Sequence, residues 1–74
     1  MEIAHRIVLD ETVCSGVPII QGTRIPVSVI VGHLAAGETA ESVMEEYHLE
    51  REDVLAALSY AANLVSSEEV RAVK

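Results

Sequence analysis

At Pro26 the spacing of apolar side chains changes, and that change calls for two kinds of structure in one short chain. Before it, Ile3, His5, Ile7 and Leu9 alternate with Ala4, Arg6 and Val8, a period of two that predicts a strand ending at Asp10-Glu11. Val17-Pro18-Ile19-Ile20 and Arg24-Ile25-Pro26 then flank Gln21-Gly22-Thr23, which predicts a small hairpin. Neither proline can donate a ladder hydrogen bond, so each belongs at a strand edge or end. Pro26, with its φ already set, also leads into a helix.

After Pro26 the period is helical. Val27, Ile30, Val31 and Leu34 stand at i, i+3, i+4 and i+7, and Gly37 follows as a C-terminal cap, giving a first helix over about 27–36. Thr39 caps a second helix over 40–47, whose stripe is Ala40, Val43, Met44 and Tyr47. A third helix starts at Arg51 and runs to about Val65, with Val54, Leu55, Leu58, Ala61, Ala62 and Val65 on one wide apolar face. With Glu50 as its cap, Leu49 lies opposite Val54 as a hydrophobic staple, and Glu52 and Asp53 load the first turn with favourable charge. Ser66 with Glu69 is a capping-box pattern, so the tail either starts a fourth short helix or frays. The expected fold is α+β, mostly α: a β element over 1–26, a three-helix helix-turn-helix bundle over 27–66 and a tail over 67–74, in one domain.

Length turns this layout into a question of stability. A core built from 74 residues rarely supplies more than ~3 to 5 kcal/mol, and a single cysteine, Cys14, excludes an internal disulfide. His5, His33 and His48 have neither a second thiol nor a close histidine, which argues against a tetrahedral zinc site, so no metal or other cofactor is expected. A second copy of the chain is the remaining supplement, and a homodimer is expected. Cys14, between Val13 and Val17, reads as a small buried apolar side chain. Gly32 inside the first helix marks either a close backbone approach or mere tolerance. No stretch approaches the ~20 apolar residues of a membrane helix. Met1-Glu2 does not open a signal peptide, so a soluble cytoplasmic protein with no membrane partner is expected.

Charge limits the partners. With 5 basic and 12 acidic residues the net charge is -7, which disfavours non-specific nucleic-acid binding and suits a basic partner. Two helices joined by a three-residue turn have the dimensions of a helix-turn-helix unit, although a plain three-helix core gives the same spacing. If DNA is bound, His48, Arg51, Ser59 and Asn63 are the candidate contacts. The first turn of the third helix, Glu50-Arg51-Glu52-Asp53, sets one cation among three acids and argues against it. No nucleophile-base pair or glycine-rich phosphate loop stands out, and no enzymatic activity is expected.

The run Gly16-Val17-Pro18-Ile19-Ile20-Gln21-Gly22-Thr23-Arg24-Ile25-Pro26-Val27, then Gly37-Glu38-Thr39, Glu46-Tyr47 and Glu52-Asp53-Val54-Leu55-Ala56-Ala57-Leu58-Ser59-Tyr60-Ala61, closely resembles the bacterial and archaeal family named domain of unknown function 433. Its most specific block is Gly22, Thr23, Arg24, Ile25, Pro26 and Val27. The resemblance implies a homeodomain-like helix-turn-helix with an N-terminal β element. Many members look like antitoxins of type II toxin-antitoxin pairs, encoded beside a PIN-like ribonuclease toxin of the VapC kind. Such antitoxins block the toxin and, as dimers, bind their own promoter DNA. This chain has Tyr47-His48-Leu49 where some relatives carry Tyr-Pro and a longer turn. A PIN-like nuclease has an acidic metal pocket and basic RNA-gripping surface, so net acidity and a pocket-filling cation would serve an inhibitor. Arg24, Arg71 and Lys74 are the candidate cations. Each also has a plainer reading: Arg24 bound to its own carbonyls or to Glu41 and Glu45, and Arg71 and Lys74 on a solvated helix end. A DNA-binding regulator without a toxin, and a homodimeric interaction module that binds neither, are the rival functions.

Overall fold

The computed structural model describes residues 1–72 and breaks the expected first strand in two. β1 (Glu2–Ala4) turns at His5-Arg6 into β2 (Ile7–Val8), and the two pair antiparallel with a bulge between Glu2 and Ala4. The turn works because Arg6 adopts φ 64°, with its N–H bonded to the Glu2 carboxylate at 3.2 Å. The alternation over residues 3–9 holds for Ile7, which is fully buried, but Ile3 and His5 are exposed, Ala4 packs against the core, and there is no single straight strand. A positive φ at arginine leaves no trace in an apolar pattern.

A 3-10 turn at Cys14–Gly16 leads to β3 (Ile19–Ile20), which pairs antiparallel with β2 through Ile7 with Ile20 and Val8 with Ile19. The order is β1-β2-β3. The expected second arm of the hairpin, Arg24-Ile25-Pro26, closes only as a bridge between Ile19 and Pro26. The side chain of Cys14, expected to be buried, lies outside the described set.

α1 (Val27–Ala35) follows Pro26, whose φ of -66° and ψ of 147° present the helix start. It ends in a Schellman turn: the Glu38 N–H reaches the His33 carbonyl at 3.1 Å and the Gly37 N–H reaches Leu34 at 3.0 Å, with Gly37 at φ +98°. α2 (Ala40–Tyr47) is capped by Thr39, whose hydroxyl accepts from the Ser42 N–H at 3.0 Å. α3 (Arg51–Ala72) is one continuous helix of 22 residues. The expected stop near Val65 and restart at Ser66 do not occur, because the backbone carries its own i to i+4 bonds through Ser66 and Ser67 without needing a side-chain cap.

Ile7, Ile20, Ile30, Val43, Val54 and Ala57 form the buried centre, joined by Val27, Leu49 and Ala56. Each described element beyond β1 contributes to it except the 3-10 turn. A small sheet of this kind is not stable alone, and here its inner face is covered by the helices. Among the described residues, no helix is long and apolar enough to cross a membrane.

Candidate functional site

The α2-turn-α3 unit is built by backbone hydrogen bonds at both ends of the turn. His48 takes φ 58° and ψ 47°, the left-handed conformation that reverses the chain after α2, and the Leu49 N–H returns to the Met44 carbonyl at 2.9 Å. Leu49 then buries itself, and the Glu50 carbonyl accepts from Asp53 at 3.0 Å while the Asp53 carboxylate accepts from the Glu50 N–H at 3.0 Å. This reciprocal cap starts α3. Glu50 thus caps through its backbone and leaves its own carboxylate for another partner.

That partner is Arg6. From the β1-β2 turn its guanidinium reaches Glu50 at 2.9 Å, Asp53 at 2.8 Å and Glu52 at 2.6 Å. A planar five-donor fork suits this triple contact, and the three carboxylates raise the Arg6 pKa further, Asp53 first. The acid-rich first turn of α3, where the sequence sets one cation among three acids, is partly neutralised from within the fold. Nothing local in the sequence signals this: Arg6 and the acids are 44 to 47 positions apart. Arg51 is also engaged, donating to Glu41 at 2.6 Å across the turn, and the Glu41 carboxyl is held below its ordinary range chiefly by that bond.

The four candidate DNA contacts are therefore differently placed. His48, Arg51, Ser59 and Asn63 are all exposed; the His48 backbone reverses the chain while its imidazole stays exposed, and Arg51 is held in an ion pair. Ser59 and Asn63, one turn apart on the outward side of α3, have no such commitment among the described residues and carry no charge. Of the candidate cations for a nuclease pocket, Arg24 is exposed in the turn before Pro26, where its charge helps to lower the Asp10 carboxyl, a shift caused first by the Thr12 hydroxyl. Glu41, one of the carboxylates considered for Arg24, is held by Arg51. Lys74 and the side chain of Arg71 lie outside the described set.

A second polar node joins α1 to α2. His33 Nδ1 lies 2.8 Å from the Glu38 carboxylate and Nε2 lies 2.8 Å from the Tyr47 hydroxyl, with the two rings edge to face at 5.4 Å. The Glu38 bond raises the His33 pKa, against a smaller opposing effect of partial burial. His33, Glu38 and Glu46 place one ligand atom each within 4.8 Å of one another. Both imidazole nitrogens have protein partners, Glu38 and Tyr47.

Between α1 and α3 the fold leaves an open apolar groove of about 400 Å³, lined by Val17, Pro18, Val27, Val31, Tyr60 and Leu64 among others. It exists because α3 continues past the body that covers its first half. Val17 and Leu64 remain 42% and 52% exposed on its rim, where burial by a partner would be favourable.

The family model described as protein of unknown function (DUF433) matches residues 7–61. The chain belongs to the DUF433 family. Neither a curated protein nor a solved structure gives a significant match. In this DUF433 chain the specific block of residues 22–27 has a structural task. Gly22 at φ +81° turns the chain, the Thr23 hydroxyl donates to the Ile20 carbonyl at 2.7 Å and accepts from the Ile25 N–H at 3.0 Å, and the Val27 N–H reaches the Pro18 carbonyl at 3.0 Å. The block fixes how α1 leaves the sheet, and with it one wall of the groove. The matched residues begin one position after Arg6 and end before Leu64.

Proposed function

We propose that this DUF433 chain is the antitoxin of a type II toxin-antitoxin pair, a non-catalytic, cytoplasmic protein that neutralises a PIN-like ribonuclease by covering it. The observation that carries the reading is the open apolar groove between α1 and α3 on a chain of net charge -7. Apolar burial would supply affinity, and the acidic field would favour a basic nuclease over other partners. Occlusion needs no reacting group, which agrees with side chains that are engaged in caps and ion pairs. Arg24 and Arg71, with Lys74, are the cations such a complex would direct toward the nuclease carboxylates.

Co-expression with the neighbouring PIN-like protein tests this. Relief of toxicity and a co-purifying complex are expected, with both lost in Val17→Asp/Leu64→Asp, which places charge on the groove rim without touching the buried centre. No complex and no relief with the unaltered chain would sink the reading.

A second reading, autoregulatory DNA binding by a homeodomain-like helix-turn-helix, is favoured by the three-residue turn between α2 and α3. The engaged Arg51 weakens it. Retardation of upstream DNA at low salt that disappears in Arg51→Ala would support it, and no shift at low salt would remove it.

A further inference from the structure

The exposed side of α3 carries a pattern that the groove does not use. Leu55, Leu58, Ala62 and Val65 follow one another at intervals of three, four and three residues, the a and d spacing of a helix-pairing seam. In the isolated chain all four are exposed, Leu55 at 54%, Leu58 at 37% and Val65 at 58%, whereas Val54, Ala56 and Ala57 are buried in the core. Tyr60 and Leu64 point a different way, into the groove. The seam and the groove are thus two faces of α3 that adjoin at Ala61, which also lines the groove.

We infer that this seam pairs with the same seam of a second copy of the chain, the two α3 helices lying antiparallel. The inference takes up the homodimer expected from the length and composition of the chain and adds the surface and the geometry. Three observations favour a second copy as the occupant. The first is charge: residues 54–67 are 14 consecutive positions without a charged side chain, in a chain of net charge -7. Two such chains repel almost everywhere, and the seam lies where they can approach without opposing carboxylates. A basic partner would gain nothing electrostatic there. The second is fit. In an antiparallel pair centred near residue 60, Leu58 faces Ala62 and Leu55 faces Val65, so large side chains meet smaller ones. A parallel pair would stack Ala62 on Ala62, leaving a gap. The third is flanking chemistry. Ser59, Ala61 and Ser66 border the seam, and such small neutral residues allow close approach.

Light scattering on the isolated full-length chain, with no nuclease present, tests the pairing. Unaltered protein is expected at twice the monomer mass at micromolar concentration. Leu55→Glu/Leu58→Glu should give the monomer mass with unchanged helical circular dichroism, and Asn63→Glu, outside the seam, should remain dimeric. Should the double variant lose its helix signal, cysteine cross-linking decides instead. Cys14→Ser/Leu55→Cys/Val65→Cys is expected to form a covalent dimer under mild oxidation, because the two cysteines face each other across the pair, and Cys14→Ser/Leu55→Cys/Asn63→Cys is not. A monomeric unaltered chain, a dimeric folded double variant, or cross-linking of the 55/63 variant and not the 55/65 variant would overturn the pairing. Relief of toxicity is scored separately: a monomer that still relieves it sinks the pairing alone, and a dimer that fails to relieve it sinks the antitoxin reading alone.

Discussion

Gly32 and His48 are placed against their intrinsic preferences, and each predicts a stabilising change. Gly32 sits inside α1 with nothing within 4 Å of where a Cβ would be, so the close approach considered for it in sequence is absent among the described residues. Gly32→Ala should therefore raise stability by about 1 kcal/mol, read from urea unfolding; a loss would mean that a second chain's backbone meets α1 there. His48 presents the opposite case, a side chain at φ 58° where glycine has no steric penalty. His48→Gly should stabilise by up to about 1 kcal/mol if the imidazole has no other duty, and a loss of that size would show that it has one. His33 predicts a pH response. Its pKa is raised by the Glu38 carboxylate, so its contribution to stability is complete below the ordinary histidine value of about 6.5 and is lost as pH rises through the raised value. Melting temperature should fall slightly over that window, the pair being partly solvated, and His33→Gln should flatten the profile. The first two positions could be singled out in sequence, Gly32 by its helical surroundings and His48 by its place after Tyr47. The third could not, because the His33-Glu38 contact depends on how the chain turns at the end of α1, and the Tyr47 contact that orients the ring on α1-α2 packing.

At the scale of elements, what was legible and what was not divide along the same line. Starts and stops of α1 and α2 came within a residue of the sequence reading, since caps such as Thr39 and Gly37 act over three or four positions. The β1-β2 turn and the unbroken α3 escaped it, the first set by a positive φ at Arg6 and the second by backbone bonds that continue past a capping-box pattern at Ser66. Arg6 is also what joins these elements, since its guanidinium ties the turn to the first turn of α3. Arg6→Lys keeps the charge but cannot offer the same fork, and Arg6→Met leaves Glu50, Glu52 and Asp53 crowded without a cation. The expected order of melting temperatures is unaltered, then Lys, then Met, with the Met variant lower by several degrees and the hairpin amides exchanging faster. Equal melting temperatures for all three would mean that solvent screening leaves the clamp without weight.

For the whole molecule, the distribution of charge gives its two proposed associations opposite responses to salt. Self-pairing through residues 54–67 buries uncharged surface between two bodies that each carry a net charge of -7, so added salt removes repulsion and loses no ion pair. Docking to a basic nuclease draws on attraction between unlike fields, so the same salt weakens it, mostly through a slower encounter. Between roughly 0.05 and 0.5 M salt, where the screening length falls from above 10 Å to below 5 Å, the dimer should tighten or hold while the nuclease complex loosens. Sedimentation of the isolated chain and titration of the complex across that range would measure both. A dimer that weakens with salt would place ion pairs at its interface, and the seam of Leu55, Leu58, Ala62 and Val65 has none to give. A nuclease complex indifferent to salt would leave its affinity to the groove alone, and the acidity of the chain would then serve to keep copies apart everywhere except at α3.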